Sequence, residues 1–504
     1  MLESNGGAAS RPEVTSRVST GIEGLDDVLM GGFPLHHFYL IEGDPGAGKT
    51  TLALQFLLQG RANGEGGLYV TLSETKRELA EVAASHGWSL EGIGLYELEE
   101  FHDPAQANQQ YTVFHPSEVE LNETTNQILQ QVEANQPTRV VFDSLSEMRL
   151  LARDSLRYRR QILSLKHFFV GRRCTVLLLD DRTDDDDDSK LQSIAHGVIR
   201  LERQPVEYGS SRRRLQVVKM RGAEYRDGYH DFTIRTGGLT VYPRLVAAEH
   251  QKSDPQEGVS SGLAELDSLL GGGTNRGAST LFMGPAGAGK STLVTQYAVA
   301  AAERGEHVHF YIYEESRVTF IHRAIGLGLD LQKHLDAGLI TVQQVDPAEL
   351  SPGEFTHRVR LAVEQEHSRM IVIDSLNGYL NAMPSERFLL VQMHELLTYL
   401  GQQGVITLLT VAQHGVLGGM LQVPIEISYL ADAVVMLRFF EADGEVRQAI
   451  SVVKKRQSNH ERTIRELRFT SHGIRIGSPL RQFQGILTGV PFYRGERAPL
   501  LETE

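Results

Sequence analysis

The 504-residue sequence contains a single cysteine, Cys174. That excludes an intramolecular disulfide framework, and so sparse a thiol content fits a reducing cytoplasm, with Cys174 a buried small residue. Long apolar runs are also missing. No stretch approaches the roughly 18 residues that a helix needs to cross a bilayer, and the first 19 residues are polar, without the apolar core of a signal peptide. A soluble, cytoplasmic protein without a membrane partner is expected. Positive charge is in deficit, 50 Lys and Arg against 64 Asp and Glu, for a net charge of −14. Such a chain repels phosphate backbones as a whole, although a local basic patch can survive inside it. The length exceeds one hydrophobic core and suits two domains of about 250 residues.

Glycine, by contrast, is concentrated where it carries chemistry. Gly43-Asp44-Pro45-Gly46-Ala47-Gly48-Lys49-Thr50 and Gly284-Pro285-Ala286-Gly287-Ala288-Gly289-Lys290-Ser291 both fit G-x-x-x-x-G-K-[ST], followed by Thr51 and Thr292. In this motif the glycines let backbone N–H groups converge on phosphates, the lysine neutralises the β and γ charges, and the Thr50 or Ser291 hydroxyl reaches Mg²⁺. An apolar strand precedes each loop and an amphipathic helix is expected after it, over Thr51 to Leu58 and Thr292 to Ala302.

The two halves also repeat outside the loops. Thr20-Gly21-Ile22-Glu23-Gly24-Leu25-Asp26 answers Ser261-Gly262-Leu263-Ala264-Glu265-Leu266-Asp267, and Val140-Val141-Phe142-Asp143-Ser144 answers Ile371-Val372-Ile373-Asp374-Ser375. An apolar strand closing on aspartate downstream of a phosphate loop holds the metal shell, so Asp143 and Asp374 are the expected metal residues beside Thr50 and Ser291. Strands of five to eight residues alternating with helices predict an α/β fold, a mostly parallel sheet covered on both faces in each half. Antiparallel segments follow, Gln216 to Arg221 and Ile450 to Arg456. The expected division is a flexible segment 1–18, domains 19–248 and 259–479, a polar linker 249–258 and a tail 480–504.

This arrangement resembles the KaiC family of tandem RecA-like ATPases and autokinases of the circadian clock. The match rests on the paired phosphate loops, the segments before them, Tyr313-Glu314-Glu315-Ser316-Arg317, the two Asp-Ser strands, and Lys-x-Arg in both late strands (Lys219/Arg221, Lys454/Arg456). The resemblance implies a homo-hexamer with ATP between neighbours, the Lys-x-Arg pairs acting on the adjacent subunit's phosphates, and a KaiB-like or signalling protein as partner. A general base needs a carboxylate close to the nucleophile. Glu314 and Glu315 both match the family's acids, with Glu314 preferred. In the first half Ser73 replaces the first acid, leaving Glu74. Clock members phosphorylate an adjacent Ser-Thr pair in the second domain. Here Ser428 matches the first acceptor and Tyr429 replaces the second. Trp88 matches the adenine-stacking tryptophan in the first half, whereas Leu327 occupies its place in the second. Clock oscillation does not follow from the resemblance. Two rival readings are a RecA- or RadA-like DNA-dependent ATPase and an ATP-assembled scaffold with little catalysis. Against DNA stands an acidic loop, expected from Asp180 through Asp188, at the position where recombinases touch it. Arg212-Arg213-Arg214 is expected to be a subunit contact.

Overall fold

The computed structural model describes residues 16–97, 116–152, 154–182, 187–205, 208–250, 257–381, 388–413, 429–442, 444–456, 458–487 and 491–493. The chain divides into two compact units, Met1–Arg244 and Leu245–Glu504.

Each unit is built on a nine-stranded sheet. In the first unit the strands are β1 (Phe38–Gly43), β2 (Gly67–Thr71), β3 (Ile93–Glu97), β4 (Arg139–Asp143), β5 (Thr175–Asp181), β6 (Gly197–Gln204), β7 (Arg212–Met220), β8 (Tyr229–Arg235) and β9 (Gly238–Tyr242). They lie in the order β9-β8-β7-β6-β1-β5-β4-β2-β3. Strands β1 to β6 pair in parallel, and β6 to β9 form an antiparallel meander at one edge. The second unit repeats this with β10 (Ser279–Gly284), β11 (Val308–Ile312), β12 (Ile340–Gln344), β13 (Met370–Asp374), β14 (Ile406–Ala412), β15 (Ala433–Ala442), β16 (Glu445–Lys455), β17 (Arg465–Thr470) and β18 (Gly473–Pro479). Their order, β18-β17-β16-β15-β10-β14-β13-β11-β12, is the same topology.

Continuous apolar runs explain the parallel part, because a strand covered by helices on both faces has no solvent side to make polar. All six residues of β1 and the first four of β13, Met370 to Ile373, are buried, and each sheet carries a separate apolar cluster on either face. Burying each Val, Leu or Ile there contributes roughly 1.5–3 kcal/mol. Cys174 lies in one of these clusters, and burial pushes its thiol up to about 12.

The helices that follow the phosphate loops, α1 (Lys49–Ala62) and α3 (Lys290–Glu303), depart from the amphipathic expectation. Of the fourteen residues of α3, eleven are buried. The helix packs across β10, β11, β13 and β14 and against the short helix Leu331–Asp336, so it has no wide polar face to display. Between α1 and α3 in the chain, α2 (Lys76–Ser85) begins on a capping box in which Thr75 Oγ1 accepts from Glu78 N and Thr75 N donates to Glu78 Oε2. Its counterpart α4 (Arg317–Gly326) is capped by Ser316. These caps end the turns that carry the candidate acids.

Candidate active sites

Strand register assembles each site at the carboxyl ends of the parallel strands, where ligands of open α/β sheets bind. In the first unit Gly43 on β1 pairs with Asp181 on β5, and Thr71 on β2 pairs with Asp143 on β4. In the second, Gly284 pairs with Ala412, and Ile312 with Asp374. The strands stop at Thr71 and Ile312, so the acids Glu74, Glu314 and Glu315 stand on the following turns rather than within the strands.

Two glycines show why the loops need their residue type. Gly48 and Gly289 each initiate a helix with φ of 112° and 97°. A Cβ on Gly48 would lie 2.5 Å from Ile234 Cδ1, and one on Gly289 would lie 1.9 Å from Phe469 Cζ. The meander therefore packs down onto the phosphate loop, with the Phe469 ring over Gly289 and the end of the Ile234 side chain over Gly48, at backbone angles that favour glycine.

In the second unit the residues converge. Gly287, Gly289, Lys290, Ser291, Thr292, Glu314, Glu315, Arg323 and Asp374 line one cavity of about 300 Å³. Lys290 Nζ donates to the carbonyls of Gly284 and Pro285 at 2.9 and 2.8 Å, which curls the ammonium over the loop. Burial holds its pKa below the ordinary lysine value, against the pull of Asp374 and Glu314. Asp374 Oδ1 accepts from Thr410. The two acids differ in their company: Ser375 Oγ donates to Glu314 Oε1 at 2.5 Å, whereas Arg323 Nη2 grips Glu315 Oε1 at 2.5 Å.

The first unit uses the same parts with a different charge balance. Lys49 Nζ donates to the carbonyls of Gly43 and Asp44 at 2.7 and 3.2 Å, and also forms an ion pair with Asp181 at 2.8 Å. Thr50 Oγ1 donates to Asp143 Oδ2 at 3.1 Å, and Tyr69 OH donates to the same oxygen. Burial raises the Asp143 carboxyl above its usual value, against the pull of these donors and Lys49. Glu74 is also raised, by burial and then by Asp143 and Glu78, and its Oε2 has no hydrogen-bond partner among the described residues.

These sites fit a nucleotide and its metal. Glycines leave room for the phosphates, lysine supplies the countercharge, and Thr50 with Asp143, or Ser291 with Asp374, offers oxygen ligands. Among the described residues there is no cluster of three or more His, Cys, Asp or Glu suited to a metal.

The Lys-x-Arg pairs lie away from their own unit's phosphate loop. Lys219 donates to the Gln192 carbonyl and Arg221 to that of Ser193 at 2.6 Å. Lys454 donates to the Ala431 carbonyl at 2.7 Å and Arg456 to that of Tyr429 at 2.8 Å. Ser428 lies outside the described residues, while Tyr429 is exposed. Trp88 is half-buried, beside His86 with ring centroids 4.7 Å apart. The acidic loop needs correction at its start. Asp180 and Asp181 belong to β5 rather than to a loop: Asp180 is buried against Arg149, and Asp181 reaches the site by meeting Lys49. Residues 184–186 lie outside the described residues. Arg214 finds an acid within its own unit, Glu202 at 3.4 Å.

Asp181, Tyr69, Ser375 and Arg323 thus join the sites without having been singled out from the sequence. Only Ser375 carried a signal, as the residue after the strand-terminal aspartate. The others reach the loops through strand register or across helix turns.

Comparison with known proteins agrees with the repeat. A family model described as the KaiC ATPase matches residues 18–246 and again 259–481. The circadian clock protein KaiC3 of Synechocystis is 27% identical over 486 residues, covering 95% of either chain. The circadian clock oscillator proteins KaiC of Acaryochloris marina and Synechococcus elongatus are 28% and 27% identical, covering 96% of this chain and 92% and 93% of theirs. With two phosphate-loop sites of one design on two sheets of one topology, and a family model spanning both, the chain belongs to the KaiC family of ATPases.

Proposed function

We propose that this chain is a Mg²⁺-dependent ATPase that assembles as a homo-hexamer through nucleotide, and that its second unit transfers phosphate to Ser428, in a signalling or clock-like role with a KaiB-like or signalling partner in the cytoplasm. The observation that carries this reading is the convergence of Lys290, Ser291, Asp374, Glu314 and Glu315 on one cavity. Mg²⁺ held by Ser291 and Asp374 would neutralise phosphate charge. Lys290 would steady the β and γ oxygens, and Glu314, oriented by Ser375, would accept the proton of the attacking hydroxyl or water. Lys454 and Arg456, with Lys219 and Arg221 in the first unit, would serve the neighbouring subunit. Phosphoryl transfer depends on such positioning and charge neutralisation, so each part matters.

The first unit supports a second reading for its own site. Ser73 offers no carboxylate, Glu74 is the remaining base candidate, and Asp181 engages Lys49. Slow turnover, with nucleotide serving mainly to assemble subunits, suits this geometry. DNA remains an unfavoured partner given the net charge.

Mass spectrometry of the purified protein after incubation with Mg·ATP, with sizing in parallel with and without ATP, tests the reading. Phosphate on Ser428 that disappears in Lys290→Ala, and an assembly that forms only with ATP, are expected. Intact hydrolysis with no phosphate on Ser428 or Tyr429 would leave a plain ATPase. A monomer under both conditions would remove the shared-site arrangement.

A further inference from the structure

Arg323 belongs to neither sequence signature of the second site, yet its guanidinium forms part of the cavity wall. It projects from α4. Nη2 donates to Glu315 Oε1 at 2.5 Å, and Nη1 donates to Thr292 Oγ1 at 3.4 Å. The Phe320 ring lies beneath, 5.2 Å from its central carbon. With its side chain 29% exposed, the guanidinium is held by three neighbours and still open to the cavity.

Thr292 is the third residue of α3, in the turn whose free N–H groups and dipole attract phosphate. A planar guanidinium matches carboxylate and phosphate equally well. A nucleotide phosphate at this turn and the Glu315 carboxylate are therefore rival anions for one cation. The first unit has no equivalent: the residue eight positions after Glu74 is Val82, where the residue eight after Glu315 is Arg323.

We propose that Arg323 is a positioning residue that couples nucleotide binding to Glu315, sharing its guanidinium between that carboxylate and a phosphate of bound ATP. Nucleotide loosens Glu315, and by thermodynamic reciprocity Glu315 weakens nucleotide. The second carboxylate of the Glu314–Glu315 pair thus becomes free to move only when there is a phosphate to act on. This inference rests on the second phosphate loop being a nucleotide site.

Titration of the full-length chain with a fluorescent, non-hydrolysable ATP analogue and Mg²⁺, fitted to two classes of site, tests it. Arg323→Ala should weaken one class about tenfold, the size of one charge-assisted hydrogen bond, and leave the other unmoved. Arg323→Lys should recover part of that loss. Glu315→Gln, which removes the rival charge at nearly constant shape, should tighten the same class several-fold. Arg323→Ala/Glu315→Gln should bind like Arg323→Ala alone, because Glu315 acts through the arginine. A merely structural Arg323 would lower the melting temperature without a gain in affinity from Glu315→Gln. Unchanged constants in Arg323→Ala, or unchanged or weaker binding in Glu315→Gln, would overturn the proposal, and the Glu315→Gln arm decides alone if Arg323→Ala fails to fold. Lys290→Ala identifies the class. If it moves neither constant, the nucleotide reading of the loop fails, a result distinct from failure of the coupling.

Discussion

Replacing Gly289 by alanine should damage the second unit more than the same change at Gly48 damages the first. At φ of 97° an L-residue costs about 1–2 kcal/mol, and the new Cβ would stand 1.9 and 2.3 Å from two atoms of the Phe469 ring. Forcing the ring aside adds the usual overpacking cost of about 1–3 kcal/mol, so Gly289→Ala should cost about 2–5 kcal/mol. Phe469→Ala removes the obstacle but also a half-buried ring, for about 2 kcal/mol, roughly half the cost of emptying a full aromatic site. The double variant keeps the backbone strain and the lost ring yet escapes the clash. It should be more stable than the sum of the singles by about 1–3 kcal/mol, a coupling that a double-mutant cycle isolates. At Gly48 the obstacle is a single Ile234 methyl at 2.5 Å, which can swing away, so Gly48→Ala should lie at the lower end of the range. Thermal unfolding of the full chain reads this directly, since each 1 kcal/mol moves the melting temperature of a unit this size by about 2–4 °C. Gly289→Ala melting within a degree of wild type, or strictly additive variants, would refute the packing of the meander on the phosphate loop.

Asp181→Asn releases Lys49 from a partly exposed ion pair, so nucleotide should bind the first site about two- to fivefold more tightly in calorimetric titration, the range expected for a pair worth about 0.4–1 kcal/mol; unchanged affinity would mean that Asp181 does not compete with phosphate. His196, stacked on His37 at 3.7 Å, is held down to about 4 by burial first and then by His37. Its folded value lies below the unfolded 6.5, so the stability it contributes is present above about pH 6.5 and lost as pH falls toward 4; His196→Asn should flatten that limb of the melting-temperature profile by about 1 kcal/mol, discounted for part exposure, and an unaltered limb would reject this origin. Glu314→Gln should keep nucleotide affinity, because the amide is nearly isosteric, while transfer measured by phosphate incorporation falls at least about a hundredfold because the amide cannot accept the proton; undiminished transfer would pass the base role to Glu315.

Much of the architecture is legible in the sequence. The phosphate loops announce themselves because the residues of the loop motif are consecutive, and continuous apolar strands announce a sheet covered on both faces. Position relative to the strand ends also identified Asp143 and Asp374. The amphipathic expectation for the helices after the loops fails because adjacency in sequence does not report what covers a helix. In the sequence Asp180 and Asp181 merge with the acidic run that follows them, since composition alone cannot tell a strand-terminal carboxylate from a solvated one.

The sequence by itself determined that there are two sites of one kind, each with its lysine, its hydroxyl and its strand-terminal aspartate, because these lie within short motifs that fold locally. Tertiary structure decided which charges those groups meet. Lys49 faces Asp181 across 132 positions only because β1 and β5 pair in one register, while the same register puts Ala412 beside the second loop. Glu315 is gripped by Arg323 and Glu74 is not, because two turns of α4 bring a guanidinium back to the cavity where α2 presents Val82. Coulombic interactions act through space at a few ångströms, and that separation is set by strand order and helix packing rather than by neighbours in the chain.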